Sequence, residues 1–177
     1  MKLIYCTNKL INSINTFVQD KDKNHTNIGL GDWYSNIFTF NRRNCIVFVN
    51  MKTLCTFVVP DLLKRDLSKF NDYFIEGLTI LLDRAEIKSE IKNVILKEYT
   101  DIQIVKTESK SILGSMNDYV QLYKWTLRKN EDTRKWTTEQ YNAQVNKRPN
   151  AILEYRTPFE LLDKVINQEY ITVANSC

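Results

Sequence analysis

Apolar residues between positions 30 and 60 fall mainly into three runs, at residues 32–40, 45–49 and 54–59. β-Branched and aromatic side chains dominate these runs, and the connections at residues 41–44 and 50–53 both begin with asparagine. Such runs, joined by connections of hairpin length, are typical of antiparallel strands. The segment is therefore predicted to form a three-stranded meander.

The middle run, CIVFV, is apolar at every position, whereas a strand with one wet face would alternate. We therefore expect it inside the sheet, with helices over both faces. Residues 3–6 form a short apolar run and residues 101–106 alternate, so two further strands are predicted there.

Helical spacing predicts the cover for this sheet. Apolar residues recur every three or four positions over residues 63–82, 87–95 and 112–127, with a break expected near Arg84. Thr137 with Gln140, and Thr157 with Glu160, fit capping boxes that begin two further helices. The predicted fold class is α+β: a mainly antiparallel sheet built on the meander, covered by helices. Residues 1–130 are predicted as the core domain and 131–177 as a helical C-terminal extension packed on it.

Composition agrees with an ordinary domain. The 177 residues include 43% apolar and 26% charged residues, as in soluble globular proteins with one substantial core. No run approaches the roughly 18 to 20 apolar residues of a membrane helix, and the N-terminus lacks a signal-peptide pattern. We therefore expect a cytoplasmic protein without a membrane partner.

Four cysteines, at positions 6, 45, 55 and 177, lack the CxxC spacing of zinc and redox sites. If Asn50 pairs with Thr53 in the second hairpin, Cys55 lies opposite Phe48 and cannot reach Cys45. Reduced, buried cysteines are the expectation, and no metal or other cofactor is predicted.

The single histidine, His25, lies in the polar segment 19–27 and is expected to be solvated. A solvated His25 leaves little room for histidine-dependent catalysis. Gly29 and Gly31 precede a strand, whereas the glycines of phosphate-binding loops precede a helix. We therefore interpret them as turn residues that permit a sharp bend.

The net charge of +4 is concentrated in one stretch, because residues 121–156 hold eight basic and four acidic residues with aromatic residues between them. Cations neutralise phosphates and aromatic rings stack on unpaired bases, so the stretch and an Arg-Arg hairpin tip form a candidate nucleic-acid-binding surface. The alternative is a solvated helix face with its aromatic residues turned inward. The candidate residues are Arg42, Arg43, Lys124, Arg128, Lys129, Arg134, Lys135, Trp136, Lys147 and Arg148.

A second set of candidates is polar and catalytic. Asp32 lies on the first meander strand, and Asn117 and Asp118 lie on the helix predicted over residues 109–129. If they converge, the two carboxylates could serve as acid and base or hold a metal. Gly114 weakens this helix and indicates a close approach. The alternative is that these groups, with Asn36, Ser111 and Ser115, cap helices or satisfy buried backbone atoms.

Four segments carry a resemblance to a known family: LGDWYSNIF, NRRNCIVFVN, KTESKSILGSMNDY and RPNAILEYRTPFELL. The chain resembles an uncharacterised family of small bacterial proteins that share a Leu-Gly-Asp-Trp-Tyr opening, an Arg-Arg hairpin and a Ser-x-Ser-x-Leu-Gly-Ser-Met-Asn-Asp helix. Lys110 stands between the two serines here. The resemblance covers most of the chain and implies one unit with no assigned activity.

A second similarity is local. Residues 146–160 look like the Asn-x-Arg-Pro to Thr-Pro-x-Glu ending of integrase-type transposases, which are mobile-element enzymes. The acidic residues that those enzymes carry on an RNase H-like sheet have no counterpart upstream. Shared helix-capping chemistry is therefore our interpretation of the match.

These patterns favour a non-enzymatic binding protein that contacts nucleic acid, or a nucleic-acid-processing partner, through its basic and aromatic C-terminal third. One alternative is a small phosphodiester- or nucleotide-directed enzyme that uses Asp32 and Asp118. Another is a protein–protein module such as an antitoxin or a defence-system subunit. Oligomeric state is left open.

Overall fold

A computed structural model describes residues 1–16, 18, 20, 25–107, 110–128 and 137–171, with side chains at all of these except 110–112. The strands are β1 (Lys2–Cys6), β2 (Trp33–Phe40), β3 (Arg43–Asn50), β4 (Thr56–Leu62) and β5 (Ile102–Lys106). The α-helices are α1 (Asn8–Ile14), α2 (Phe70–Arg84), α3 (Ser89–Glu98), α4 (Lys110–Arg128), α5 (Thr138–Val145) and α6 (Pro158–Ile166). A 3-10 turn, Lys64–Lys69, leads into α2, and a second, Ala151–Leu153, follows α5.

The five strands form one sheet in the order β4-β3-β2-β1-β5. The predicted meander is confirmed, because β2 pairs antiparallel with β3 and β3 antiparallel with β4. β1 adds two parallel pairings, with β2 and with β5. The first strand of the meander, β2, is therefore the centre of the sheet, and the apolar run in β3 is buried on both faces, as predicted.

The β2–β3 hairpin closes through a two-residue turn, in which Phe40 pairs with Arg43. Asn41 and Arg42 have φ angles of 47° and 63°. Two successive positive φ angles are typical of a type I′ turn, whose second position favours glycine because a Cβ atom is strained there. The chain thus keeps an arginine where glycine would relieve strain.

The register between β3 and β4 differs by two residues from the predicted one. Phe48 lies opposite Phe57 instead of Cys55. The side-chain carbonyl of Asn50 accepts hydrogen bonds from the backbone N–H groups of Thr53 and of the residue before it, each at 3.0 Å. These bonds build a wider connection than the assumed four-residue turn, so the prediction of the register was wrong.

The cysteines agree with the sequence expectation where they are described. Cys6, Cys45 and Cys55 are free and buried. Burial raises the pKa of the Cys55 thiol to about 12, so this side chain behaves as a small apolar group. Cys177 lies outside the described residues.

Helices cover both faces of the sheet, which confirms the predicted α+β fold. The core under α1, α2, α3 and α6 includes Trp33 and Phe74, and the core under α4 and α5 includes Tyr123. Capping boxes at Thr137 and Thr157 begin α5 and α6, as predicted. Both α5 and α6 bury apolar residues against the same sheet as the rest of the chain. The predicted division of the chain at residue 130 stays a prediction. Over the residues described, none of the helices is long and apolar enough to cross a membrane.

Two asparagines, one in α5 and one directly after it, close the outer edge of β4. Asn146 pairs with the backbone N–H and C=O of Thr56, at 2.8 and 2.7 Å, and Asn142 pairs in the same way with Val58, at 2.9 and 3.0 Å. The next alternate residue along the strand is Pro60, which has no N–H to offer. This edge of the sheet is therefore closed to strand pairing.

The last described residues form a π-helical turn, Asn167–Ile171. The turn is fastened to the loop before β2. Leu30 N donates to Tyr170 Oη at 2.8 Å, and Gly29 N donates to Glu169 Oε2 at 3.3 Å. These partners lie 140 residues apart, so local spacing gave no signal for them.

Candidate functional site

The basic residues predicted to bind nucleic acid come from two separate elements. Arg42 and Arg43 are exposed at the tip of the β2–β3 hairpin. Lys124, half-buried, and Arg128, exposed, lie in the C-terminal half of α4. We call these four residues, together with Trp125, the basic surface.

Aromatic packing brings the two elements together. Phe38 and Phe40 lead into the hairpin tip, and both rings contact the Tyr123 ring edge-on with centroids 5.5 Å apart. The Lys124 ammonium lies 5.6 Å from the centre of the Phe38 ring. α4 therefore lies over the end of β2 that carries the hairpin, and Lys124 faces the same end of the sheet as Arg42.

Trp125 is the exposed aromatic residue of the basic surface, with 57% of its surface accessible. It lines a shallow depression of about 400 Å³ with Gln121, Lys124 and Arg128. Positions 121, 125 and 128 share one face of the helix, because three- and four-residue steps return to the same side. Arg128 also complements the partial negative charge at the C-terminal end of α4.

The other predicted basic residues have mixed positions. Lys147 and Arg148 are exposed just after α5, and Arg148 lies near Leu122 and Thr126 of α4. Lys129, Arg134, Lys135 and Trp136 lie outside the described residues. Among the described residues, the predicted basic residues therefore lie at the hairpin tip, in the C-terminal half of α4 and just after α5.

Two of the interleaved aromatic residues belong to the core and not to the surface. Tyr123 and Tyr141 are buried, and burial raises the pKa of both phenols far above the ordinary value. The exposed carboxylate of Asp61 raises the Tyr123 pKa further, so one acid lies close to the basic residues. The alternative interpretation was a solvated helix face with its aromatic residues turned inward. Tyr123 and Tyr141 are turned inward, whereas Trp125 and Tyr155 are exposed.

Asp32, the catalytic candidate of the meander, is buried with 1% of its surface accessible. Its Oδ1 accepts a hydrogen bond from Leu3 N at 3.0 Å, and its Oδ2 lies 2.7 Å from His25 Nε2. Asp32 N donates to Asn27 Oδ1 at 2.9 Å. The carboxylate, directly before β2, thus joins β1 to His25 of the loop before β2.

The prediction that His25 is solvated was wrong, because only 6% of its side chain is accessible and it pairs with Asp32. Gly29 and Gly31 turn the chain back toward β1 with φ angles of 60° and 83°. Both are the turn residues that the sequence predicted. The sequence offered one signal for this pair: the single histidine stands seven residues before the aspartate, with two glycines between them.

A buried lysine holds the same loop from the other side. Lys2 Nζ donates to Ile28 O at 2.6 Å and pairs with Glu98 Oε2 at 2.8 Å. Tyr170 Oη donates to the same Glu98 oxygen at 2.9 Å. The loop is therefore fixed by β1, α3 and the π-helical turn, and Asp32 lies inside a closed network.

Asp118 and Asn117 are exposed on α4. Among the described residues, no hydrogen bond or ion pair joins either of them to Asp32. Ser115 is buried on α4, the side chain of Ser111 is outside the described part, and Asn36 accepts a hydrogen bond from Thr7 Oγ1 at 2.7 Å. Gly114 has open space where a Cβ atom would lie, so the close approach expected there was wrong.

An apolar cavity of about 240 Å³ lies between β4, α2 and α5. Phe57, Tyr73 and Phe159 form part of its wall. Its polar lining includes Arg84, Glu76 and Glu139, so its mouth carries no single sign of charge. The described residues include no group of three or more histidine, cysteine, aspartate or glutamate side chains arranged to hold a metal ion.

A family model described as a domain of unknown function (DUF6933) matches residues 3–161, and the chain belongs to this family. The resemblance to an uncharacterised family is thereby confirmed. No curated protein matches the chain. The matched residues include the hairpin tip, α4 and the Asp32 loop, and they end before the π-helical turn.

Proposed function

We propose that the protein binds nucleic acid through the basic surface and does no chemistry on it. The observation that carries the proposal is the packing of α4 over the hairpin end of β2. It joins the strand end that leads into Arg42 and Arg43 to the helix that carries Lys124 and Arg128, more than 80 residues away in the sequence. Clustered cations on one exposed face are what a phosphate backbone requires.

The strained turn supports the proposal independently. Arg42 adopts a positive φ angle in a turn that favours glycine, at a cost of about 1 kcal/mol or more. Strain that the fold does not need is concentrated at functional positions. The turn presents the exposed guanidinium group of Arg42 to solvent, and such a group can bind a phosphate through charge-assisted hydrogen bonds.

Charge reversal tests the proposal. Lys124→Glu and Arg128→Glu together are expected to lower the affinity for a fluorescently labelled oligonucleotide by about tenfold or more, because charge-assisted contacts are lost. Affinity of the unmodified protein should fall steeply with salt, with a slope of about 0.7 to 0.9 for each phosphate neutralised. Fluorescence anisotropy across a salt series measures both quantities.

The matched control is the double change Lys88→Glu and Lys97→Glu, at two exposed lysines at the ends of α3 on the opposite face of the sheet. It makes the same change in net charge and should leave affinity unchanged within about twofold, since a distant surface charge is screened by salt. Equal losses in both variants would show that net charge alone drives binding. Affinity that does not depend on salt would refute the proposal and favour a protein–protein module.

Arg42→Gly separates function from folding. Glycine relieves the turn, so the free energy of unfolding should stay equal or rise. Affinity for the oligonucleotide should fall nonetheless, because a phosphate-facing guanidinium group is gone. A variant that unfolds more easily would mean that Arg42 serves the fold.

The enzymatic alternative has less support among the described residues. A general acid or base has to reach a substrate, and both Asp32 oxygens are already engaged by Leu3 N and His25 within the buried loop. Asp118 stands apart from them on α4. Binding without catalysis is therefore the function that we propose.

A further inference from the structure

We infer that the basic surface takes single-stranded nucleic acid, with one unpaired base stacked on the indole of Trp125. The inference rests on the proposed function, because it names the class of ligand for the same surface. It is independent of sugar type, since DNA and RNA present the same bases and phosphates.

The position of Trp125 carries the argument. Trp33, fully buried, is a core residue, whereas Trp125 exposes 57% of its surface on the outer face of α4. A single exposed aromatic residue is ordinary on a protein surface. What distinguishes Trp125 is its place between Lys124 and Arg128, which line the same depression.

The chemistry of the depression matches a nucleotide with an accessible base. An aromatic ring offers stacking to any base, because each base has a π face. Lys124 and Arg128 are one helical turn apart, so their cationic groups can take the phosphates on the two sides of that base. Gln121 adds an amide that can donate to a base edge and accept from it.

A duplex fits this arrangement less well. Its bases are stacked on one another and offer only their edges in the grooves, so an exposed indole on a helix face finds no base to cover. Its phosphates would still attract the four cations. The structure therefore predicts residual duplex binding that depends on charge and not on the indole.

Trp125→Ala is the primary test. Loss of one stacked base should weaken binding of an oligothymidylate of about 12 nucleotides, within the site sizes of single-strand binders, by about 5- to 150-fold. Binding of a duplex of equal length should change by less than about twofold. The salt slope should stay the same, because no phosphate contact is removed. Trp125→Phe keeps an aromatic ring, so its affinity for the oligothymidylate should lie between those of the unmodified protein and Trp125→Ala.

Tryptophan fluorescence gives a second readout that a folding defect does not mimic. In a Trp136→Phe background, the remaining indoles are the buried Trp33 and the exposed Trp125. Titration with oligothymidylate should quench the emission of Trp125 on stacking, and titration with the duplex should not. Oligouridylate serves as the RNA arm, and tight binding of either oligomer with quenching supports the inference.

The outcomes separate the two levels of the proposal. Duplex binding as tight as single-strand binding, or no effect of Trp125→Ala on either, would overturn the single-strand inference. In that case a loss of affinity on the Lys124→Glu and Arg128→Glu change would leave nucleic-acid binding in place. Absence of binding to every oligomer would overturn both.

Discussion

One buried carboxylate organises the loop before β2. The two oxygens of Asp32 serve a backbone donor of β1 and the only imidazole of the chain, while its own N–H is taken by Asn27. A buried acceptor of this kind is stabilising only while both partners stay in place, because each group left unsatisfied retains its full desolvation cost. At the scale of single residues, Asp32 therefore connects β1 to the loop before β2.

Asp32→Asn should lower the free energy of unfolding by about 1–3 kcal/mol, because the amide cannot accept from both Leu3 N and His25 Nε2. Urea unfolding at neutral pH measures the change. Asp118→Asn is the matched control, since removal of that exposed carboxylate should lower the free energy of unfolding by no more than about 0.5 kcal/mol. Equal losses in the two variants would contradict the role assigned to Asp32.

At the scale of elements, α5 replaces a missing strand. Asn142 in α5 and Asn146 at its C-terminal cap are one turn apart, and they pair with backbone donors and acceptors that alternate along β4. A helix can do this because a four-residue step rises about 6 Å, close to the two-residue repeat of a strand at about 6.8 Å. An edge strand left open would be a site of aggregation.

Removal of one asparagine amide should reopen that edge. Asn146→Ala is expected to cost about 1–3 kcal/mol for each backbone group of Thr56 left without a partner, because Asn146 is fully buried. Asn142→Ala should cost less, since this side chain is half-buried and water can replace it. Chemical denaturation measures both, and light scattering on warming should show earlier aggregation of Asn146→Ala. A larger loss for Asn142→Ala would refute this account of the edge.

At the scale of the whole molecule, buried phenols occur in both cores and a half-buried phenol occurs at the π-helical turn. Tyr99 lies on one face of the sheet, Tyr119 and Tyr141 lie on the other, and Tyr170 joins the π-helical turn to the loop before β2. Burial raises the pKa of all four phenols, and raises that of Tyr119 to about 12. The fold therefore binds these protons more tightly than the unfolded chain does.

The predicted consequence is a steep loss of stability in alkali. A raised folded-state pKa contributes stability that is complete below the unfolded value of 10.0 and is lost as pH rises from there through the folded value, about 12 for Tyr119. Tyrosinate absorbance followed across this range should rise cooperatively and together with the loss of circular dichroism. Independent titration of most tyrosines near pH 10, in a protein that stays folded, would contradict the burial of these side chains.

The amino-acid sequence by itself determined the local elements: the meander, the helical stripes, the break before α3 and the capping boxes at Thr137 and Thr157. These follow from spacing and capping, which involve residues a few positions apart. The tertiary structure alone decided the parallel pairing of β1, the pairing of His25 with Asp32 and the packing of Lys124 on the Phe38 ring. In each of these the partners are brought together by chain folding and packing, which the periodicity of a sequence does not record. Candidate residues could thus be named from their chemistry, while their grouping into a surface required the packing of α4 on the sheet.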